Sequence, residues 1–295
     1  MRIVRYRVGD RAVLGVWGEE WVINLTDLNP RVFDSFLHLI QHAHRVRRTI
    51  EELVSKAMEG AKRRKRERLT ERDERLLIPL NPPEVWACGV TYRRSREARE
   101  YESGVKGIYD LVYEAERPEI FFKTTGLRCV GPNQPIGVRG DSNWSVPEPE
   151  LAFILGADQR IVAFTAGNDV TARDIEGENP LYLPQAKTFE GCCALGPSIL
   201  TFDEVGSEPK LEIRCEVIRG GEVVFQGSTN TSRMKRSLEE LRSYLCRYNP
   251  IPPGTVCLTG TGIVPPDDFA LEDGDVVRIT IEKIGTLINP VKRLI

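Results

Sequence analysis

Val146-Pro147-Glu148-Pro149-Glu150-Leu151-Ala152-Phe153-Ile154 reads as an apolar strand with two carboxylates at its mouth. In an extended chain residues i and i+2 point to the same side, so Glu148 and Glu150 share a face. Pro147 and Pro149 keep the backbone extended and remove two donors. Two like charges this close repel each other unless a cation or strong donors sit between them. Hard oxygen ligands so arranged suit Mg²⁺, Mn²⁺ or Ca²⁺ rather than zinc. The plainer alternative is a pair of surface glutamates on an edge strand.

Other short strand-like segments surround this one, at 120–122, 136–138, 161–166, 211–218, 222–225, 255–258 and 276–281. Helical spacing is predicted for 93–103, 106–116 and 232–247. Asn81-Pro82-Pro83 marks a border: a charged stretch gives way to the apolar strand 85–90. Before it, residues 1–25 alternate as short strands, 31–59 carry helical spacing, and the mixed-charge run 61–75 reads as a solvated helix face. The expected organisation is a small N-terminal α/β domain over 1–80 and a catalytic domain over 81–295. The fold class is α+β, a β-rich mixed fold. No G-x-G-x-x-G follows a strand and no G-x-x-x-x-G-K-[ST] occurs, so dinucleotide and P-loop phosphate sites are not supported.

The 295 residues are 41% hydrophobic and 28% charged, which excludes global disorder. A net charge of −2 supplies no basic field for nucleic acid. No apolar run reaches the length of a membrane span, and the first residues lack a signal-type apolar core, so a cytoplasmic protein is expected. Seven cysteines, with Cys192 and Cys193 adjacent, read as reduced and mostly buried rather than as a disulfide framework. The three histidines are His38, His42 and His44. They lack the H-E-x-x-H glutamate, and no histidine follows residue 44. Chemistry beyond that point must use carboxylates, Lys, Tyr, Cys, Ser/Thr or a metal.

Asn168-Asp169-Val170-Thr171-Ala172-Arg173-Asp174 follows the predicted strand 161–166, so Asp169 is placed to converge as a third ligand. Arg173 and Asp174 are expected to pair and orient the ligands. Lys187, alone among uncharged neighbours in Leu183-Pro184-Gln185-Ala186-Lys187-Thr188-Phe189, is a candidate for proton exchange beside a metal. A snorkelling surface lysine is the alternative.

Glu148-x-Glu150, the 168–174 segment, Lys187-Thr188-Phe189, Leu195-Gly196-Pro197 and Thr259-Gly260-Thr261, in this order, resemble the fumarylacetoacetate hydrolase superfamily over about residues 84–290. The resemblance implies that superfamily's C-terminal-domain fold, usually dimeric, and a homodimer or homotetramer is expected here. It also implies one Mg²⁺ (or Mn²⁺ or Ca²⁺) on Glu148, Glu150 and Asp169, with Lys187 as the lysine of the site. Many members carry G-x-N-Y-x-x-H with a histidine base. Here Gly89-Val90-Thr91-Tyr92-Arg93-Arg94-Ser95 places serine there, and serine cannot replace imidazole near neutral pH.

Pro83-Glu84-Val85-Trp86, Arg117-Pro118-Glu119-Ile120-Phe121-Phe122-Lys123, Arg128-Cys129-Val130-Gly131, the 178–185 and 191–194 segments and Ile284-Gly285-Thr286-Leu287-Ile288 are similar to the 2-keto-3-deoxy-D-arabinonate dehydratase branch. That similarity implies Glu119 and Lys187 as proton-transfer groups and a small-molecule 2-keto acid as substrate. The metal would polarise C2=O and acidify C3–H; loss of the C4 hydroxyl would then lead to 2,5-dioxopentanoate. Lys123 and Thr261, with Lys187, are candidates for substrate binding. Competing readings are an acylpyruvate-type C–C hydrolase, an oxaloacetate-type decarboxylase, or a metal-binding scaffold without turnover. No nucleic-acid or membrane partner is expected.

Overall fold

The computed structural model describes residues 1–59, 66–93 and 112–295. In chain order the strands begin with Arg2–Val8 (β1), Arg11–Trp17 (β2), Trp21–Asn24 (β3), Glu67–Arg68 (β4), Val85–Gly89 (β5) and Glu119–Thr124 (β6). Next come Cys129–Val130 (β7), Ile136–Val138 (β8), Ser145–Val146 (β9), Pro149–Leu155 (β10), Ile161–Asp169 (β11) and Thr171–Ala172 (β12). Cys193–Thr201 (β13), Glu212–Arg219 (β14), Glu222–Asn230 (β15), Val256–Leu258 (β16), Val276–Ile281 (β17) and Gly285–Arg293 (β18) complete them. Among the described residues, the helices whose full extent is described are Phe36–Val46 (α1), Ile50–Glu59 (α2), Arg173–Glu178 (α3), Leu183–Lys187 (α4) and Leu238–Cys246 (α5). The α+β, strand-rich class read from the sequence is the class observed.

The larger sheet runs β4-β3-β2-β1-β13-β11-β10-β16-β5-β6, with β7 added alongside β13. A second sheet runs β15-β14-β17-β18-β8 and packs on the first through contacts of β14 with β10, β17 with β11 and β18 with β13. Every residue of β10 and of β13 is buried, which explains why their apolar runs do not alternate with polar residues. Strands from both sides of residue 80 share one sheet, because β1 pairs with β13 (Arg2↔Leu200, Ile3↔Ile199). Ile3, Leu14, Phe33 and Phe36 enter the same hydrophobic core as Phe153, Phe164 and Leu258. Among the described residues no helix is long and apolar enough to cross a membrane.

Two expectations change, and one lies outside the described residues. The helical stretch 31–59 divides at Arg47, which caps α1 in a left-handed conformation, and Thr49 and Glu52 open α2 with a reciprocal capping box. In the charge run 61–75, residues 60–65 lie outside the described residues, and the rest is not helical. Glu67–Arg68 pairs with β3 while Leu69 and Leu76 fill a small core with Tyr6 and Trp17. Two buried leucines anchor this stretch, so it is not a solvated helix face. The helices expected at 93–103 and 106–116, and Ser95, fall largely or wholly on residues 94–111, outside the described set.

Candidate active site

Strand direction gathers the site. β10 and β11 are antiparallel, with Pro149 opposite Asn168 and Glu150 opposite Gly167, so the start of one lies beside the end of the other. Asp169 donates its amide to the Glu148 carbonyl at 3.0 Å, and the Glu148 amide donates to Asn168 Oδ1 at 3.0 Å. β16 runs antiparallel to β10, β5 parallel to β16, and β6 antiparallel to β5. The ends of β11, β16 and β5 therefore meet the starts of β10 and β6 at one edge of the sheet. That edge brings Glu148, Glu150, Asp169 and Gly260 together, α4 delivers Lys187 to it, and Glu119 lies on the same edge beside Gly89 without lining the cavity.

Glu148, Glu150 and Asp169 are buried, and one ligand oxygen from each lies within 4.8 Å of the others. It is the only such group of potential ligands found among the described residues. Lys187 Nζ donates to Glu148 Oε2 at 2.7 Å, to Asp169 Oδ2 at 3.0 Å and to Thr171 Oγ1 at 2.7 Å. Lys187 is 1% exposed, so it is not a snorkelling surface residue. Its ammonium lies 5.5 Å from the centre of the Phe121 ring.

Burial, then the charges of Asp169 and Glu148, push the Glu150 carboxyl well above the usual carboxylate range. Burial alone would raise Asp169 too, but Lys123 and Lys187 outweigh it and hold that carboxyl low. Three hard oxygens converge on a cavity of about 20 Å³, room for one ion or water. The donor set and the cavity both fit a small hard cation.

Around that cavity stand Cys88, Gly89, Val90, Phe121, Arg173 and Thr261, beside the carboxylates and Lys187. Cys88 Sγ lies 3.6 Å from Cys257 Sγ; this contact and burial raise its thiol well above the ordinary value, so it is no thiolate nucleophile. The Thr261 hydroxyl faces its own loop, donating to the Ile263 carbonyl and accepting the Ile263 amide. Lys123 does not line the cavity. It lies behind Asp169, fully buried.

Arg173 does not pair with Asp174, because neighbouring residues on a helix face different ways. Arg173 Nη2 instead meets Glu148 Oε1 at 3.3 Å, while Asp174 accepts from Ser142 Oγ and the Asn143 amide.

Two glycines matter that the sequence marked only as motif letters. Gly260, at φ +91°, donates its amide to Glu150 Oε2 at 2.6 Å; a Cβ there would lie 2.0 Å from Thr91 Oγ1. Gly89 pairs with Glu119, and a Cβ on it would lie 2.1 Å from Glu119 Oε2. The missing side chain at 89 is the space the Glu119 carboxylate occupies. Gly89→Ala is therefore expected to displace that flexible carboxylate and leave the sheet intact. A misplacement of this size costs about 10²-fold in kcat, with a melting temperature close to wild type; unchanged kcat would remove Glu119 from the chemistry.

Comparison with known proteins agrees with this geometry. The model of the fumarylacetoacetate (FAA) hydrolase C-terminal family matches residues 84–292. The chain is 52% identical over 225 residues to 2-dehydro-3-deoxy-D-arabinonate dehydratase of Saccharolobus solfataricus, covering 75% of this chain and 76% of that one. It is also 52% identical over 219 residues to a probable 2-keto-3-deoxyxylonate dehydratase of Haloferax volcanii, covering 74% and 75%. A solved 2-keto-3-deoxy-D-arabinonate dehydratase complexed with magnesium and 2,5-dioxopentanoate superposes with a TM-score of 0.79 at 39% identity, covering 100% of this chain and 99% of the other. With its strand order, its carboxylate cluster and this extent of similarity, the chain belongs to the fumarylacetoacetate hydrolase C-terminal family.

Proposed function

We propose that the protein is a magnesium-dependent hydro-lyase. It removes water from a 2-keto-3-deoxy sugar acid of the D-arabinonate type to give 2,5-dioxopentanoate. The observation that carries this reading is the buried group of Glu148, Glu150 and Asp169 with Lys187 bound to two of them, in a chain without a histidine after residue 44. A 2-keto acid offers a carboxylate and a keto oxygen to a hard cation, and such an ion supplies the Lewis acidity that loosens the proton on C3.

The chain's own residues do the rest. Glu148, Glu150 and Asp169 hold the ion and fix its position. Lys187 and Glu119 share the proton movements. One accepts the C3 proton and the other protonates the C4 hydroxyl, which departs as water. A proton then moves from C5 to C3, and the C4–C5 enol so formed ketonises, its hydroxyl proton passing to C4, to give the aldehyde. Phe121 and Val90 close the apolar side of the cavity. Thr261 contributes to the wall where the substrate's hydroxyls would lie.

The test is incubation of the Mg²⁺-loaded protein with 2-keto-3-deoxy sugar acids, acylpyruvates and oxaloacetate, following aldehyde formation, C–C cleavage and CO₂. Aldehyde from the sugar acids alone is the expected result. Turnover of acylpyruvates or oxaloacetate without the sugar acids would replace this reading.

We further infer a place in pentose breakdown, a cytoplasmic setting and a homodimer or homotetramer. Residues 1–80 are proposed as a small N-terminal domain that supplies sheet and core rather than site residues.

A further inference from the structure

Each carboxylate of the cluster has one oxygen taken by a donor set in the framework. Lys123 Nζ meets Asp169 Oδ1 at 2.6 Å. Arg173 Nη2 meets Glu148 Oε1 at 3.3 Å. The Gly260 amide donates to Glu150 Oε2 at 2.6 Å. Lys187 behaves differently: it holds the remaining oxygens of Glu148 and Asp169 from the end of a long side chain.

Lys123 is the firmest of these donors. It is 0% exposed, on β6, four residues from Glu119. Besides Asp169, its ammonium donates to the Val170 carbonyl at 3.0 Å and to the Lys187 carbonyl. Two buried carbonyls thus take its hydrogen bonds and the Asp169 carboxylate is its ion-pair partner. Phe189 lies 5.6 Å from the same nitrogen. Lys123 therefore cannot turn toward a substrate without abandoning two buried carbonyls and a carboxylate.

We infer that Lys123 is a positioning residue: by occupying Asp169 Oδ1 it limits Asp169 to a single oxygen toward the cation, and so makes the centre select Mg²⁺ over Ca²⁺. Arg173 and the Gly260 amide do the same for Glu148 and Glu150. Three single oxygens on one side match the octahedral demand of Mg²⁺, which keeps its other positions for water or substrate oxygens. Ca²⁺ takes six to eight oxygens and gains from bidentate carboxylates, which these donors deny.

This inference rests on the cation reading above but not on the dehydration, so its test contains no substrate. Metal-free wild type and Lys123→Met are titrated calorimetrically with MgCl₂ and with CaCl₂, after circular dichroism has compared their folds. Loss of such a supporting contact typically lowers metal affinity about 10- to 100-fold. That loss is expected for Mg²⁺, with a smaller loss or a gain for Ca²⁺, moving the ratio of the two dissociation constants toward calcium by about tenfold or more. Parallel losses for both ions, or an unchanged ratio, would overturn the inference. If Lys123→Met does not fold, Arg173→Gln frees Glu148 Oε1 and is expected to move the ratio the same way; an unmoved ratio there overturns it equally. A wild type that binds neither ion removes the metal centre itself. Intact selectivity without turnover of sugar acids would strike only the dehydratase reading.

Discussion

Glu148→Gln, or exhaustive chelation of the wild type, is expected to abolish turnover. A bound cation contributes several kcal/mol to transition-state charge stabilisation, so a loss of about 10³-fold or more is expected in kcat/KM. The amide keeps the shape of Glu148 but cannot balance either Arg173 or Lys187, and its nitrogen is no ligand. Re-addition of Mg²⁺ should restore the chelated wild type and leave the variant inactive. Acid should act in the same direction. Burial and two neighbouring carboxylates raise the Glu150 carboxyl, so a proton stays on it at a pH where an ordinary glutamate is ionised. The ion must displace that proton, and binding weakens as pH falls. Calorimetry in buffers of different ionisation heat should show proton release on binding. An affinity flat with pH, or activity that survives chelation, would take the metal out of the mechanism.

Lys187→Met and Glu119→Gln should each lower kcat by about 10²- to 10⁴-fold, the usual contribution of a general acid or base. They should differ in what they do to the ion. Lys187 is bound to two carboxylates of the cluster, so its removal frees those oxygens, and cation affinity should hold or rise while kcat collapses. Glu119 lies against Gly89 at the rim, so its amide should leave cation affinity unchanged. The limb of the pH–rate profile that disappears with each variant assigns base and acid. Losses of only a few-fold would transfer the proton steps to other groups.

Much of the site was legible because its residues lie at strand ends, where short motifs survive as compact words. Glu148 and Glu150 were placed on one face by strand periodicity alone, and Asp169 by its position after an apolar run. What escaped was the second circle of contacts. Lys123 read as a substrate ligand because a lysine's direction depends on which carbonyls the fold sets around it, and those belong to Val170 and Lys187. β13 was not foreseen as a strand, and Gly196-Pro197 lies inside it. It is tolerated where the pairing with β11 slips, between Phe164 and Ala166. Gly89 read only as a motif letter, because what matters there is a side chain that is missing. Composition suggested a border near residue 80, whereas the hydrogen bonds that join β1 to β13 across it depend on partners about 200 positions apart in the chain.

Those bonds have a consequence for anyone cutting the polypeptide. β13 reaches Asp169 on one flank through Cys193 and meets β1 on the other near Leu200. A fragment starting at the Asn81-Pro82-Pro83 junction would leave that flank an open row of amides and carbonyls, a template for adhesion between copies. The amino-terminal strands thus work as a hem, and trimming them would sacrifice solubility before it touched a single reacting group.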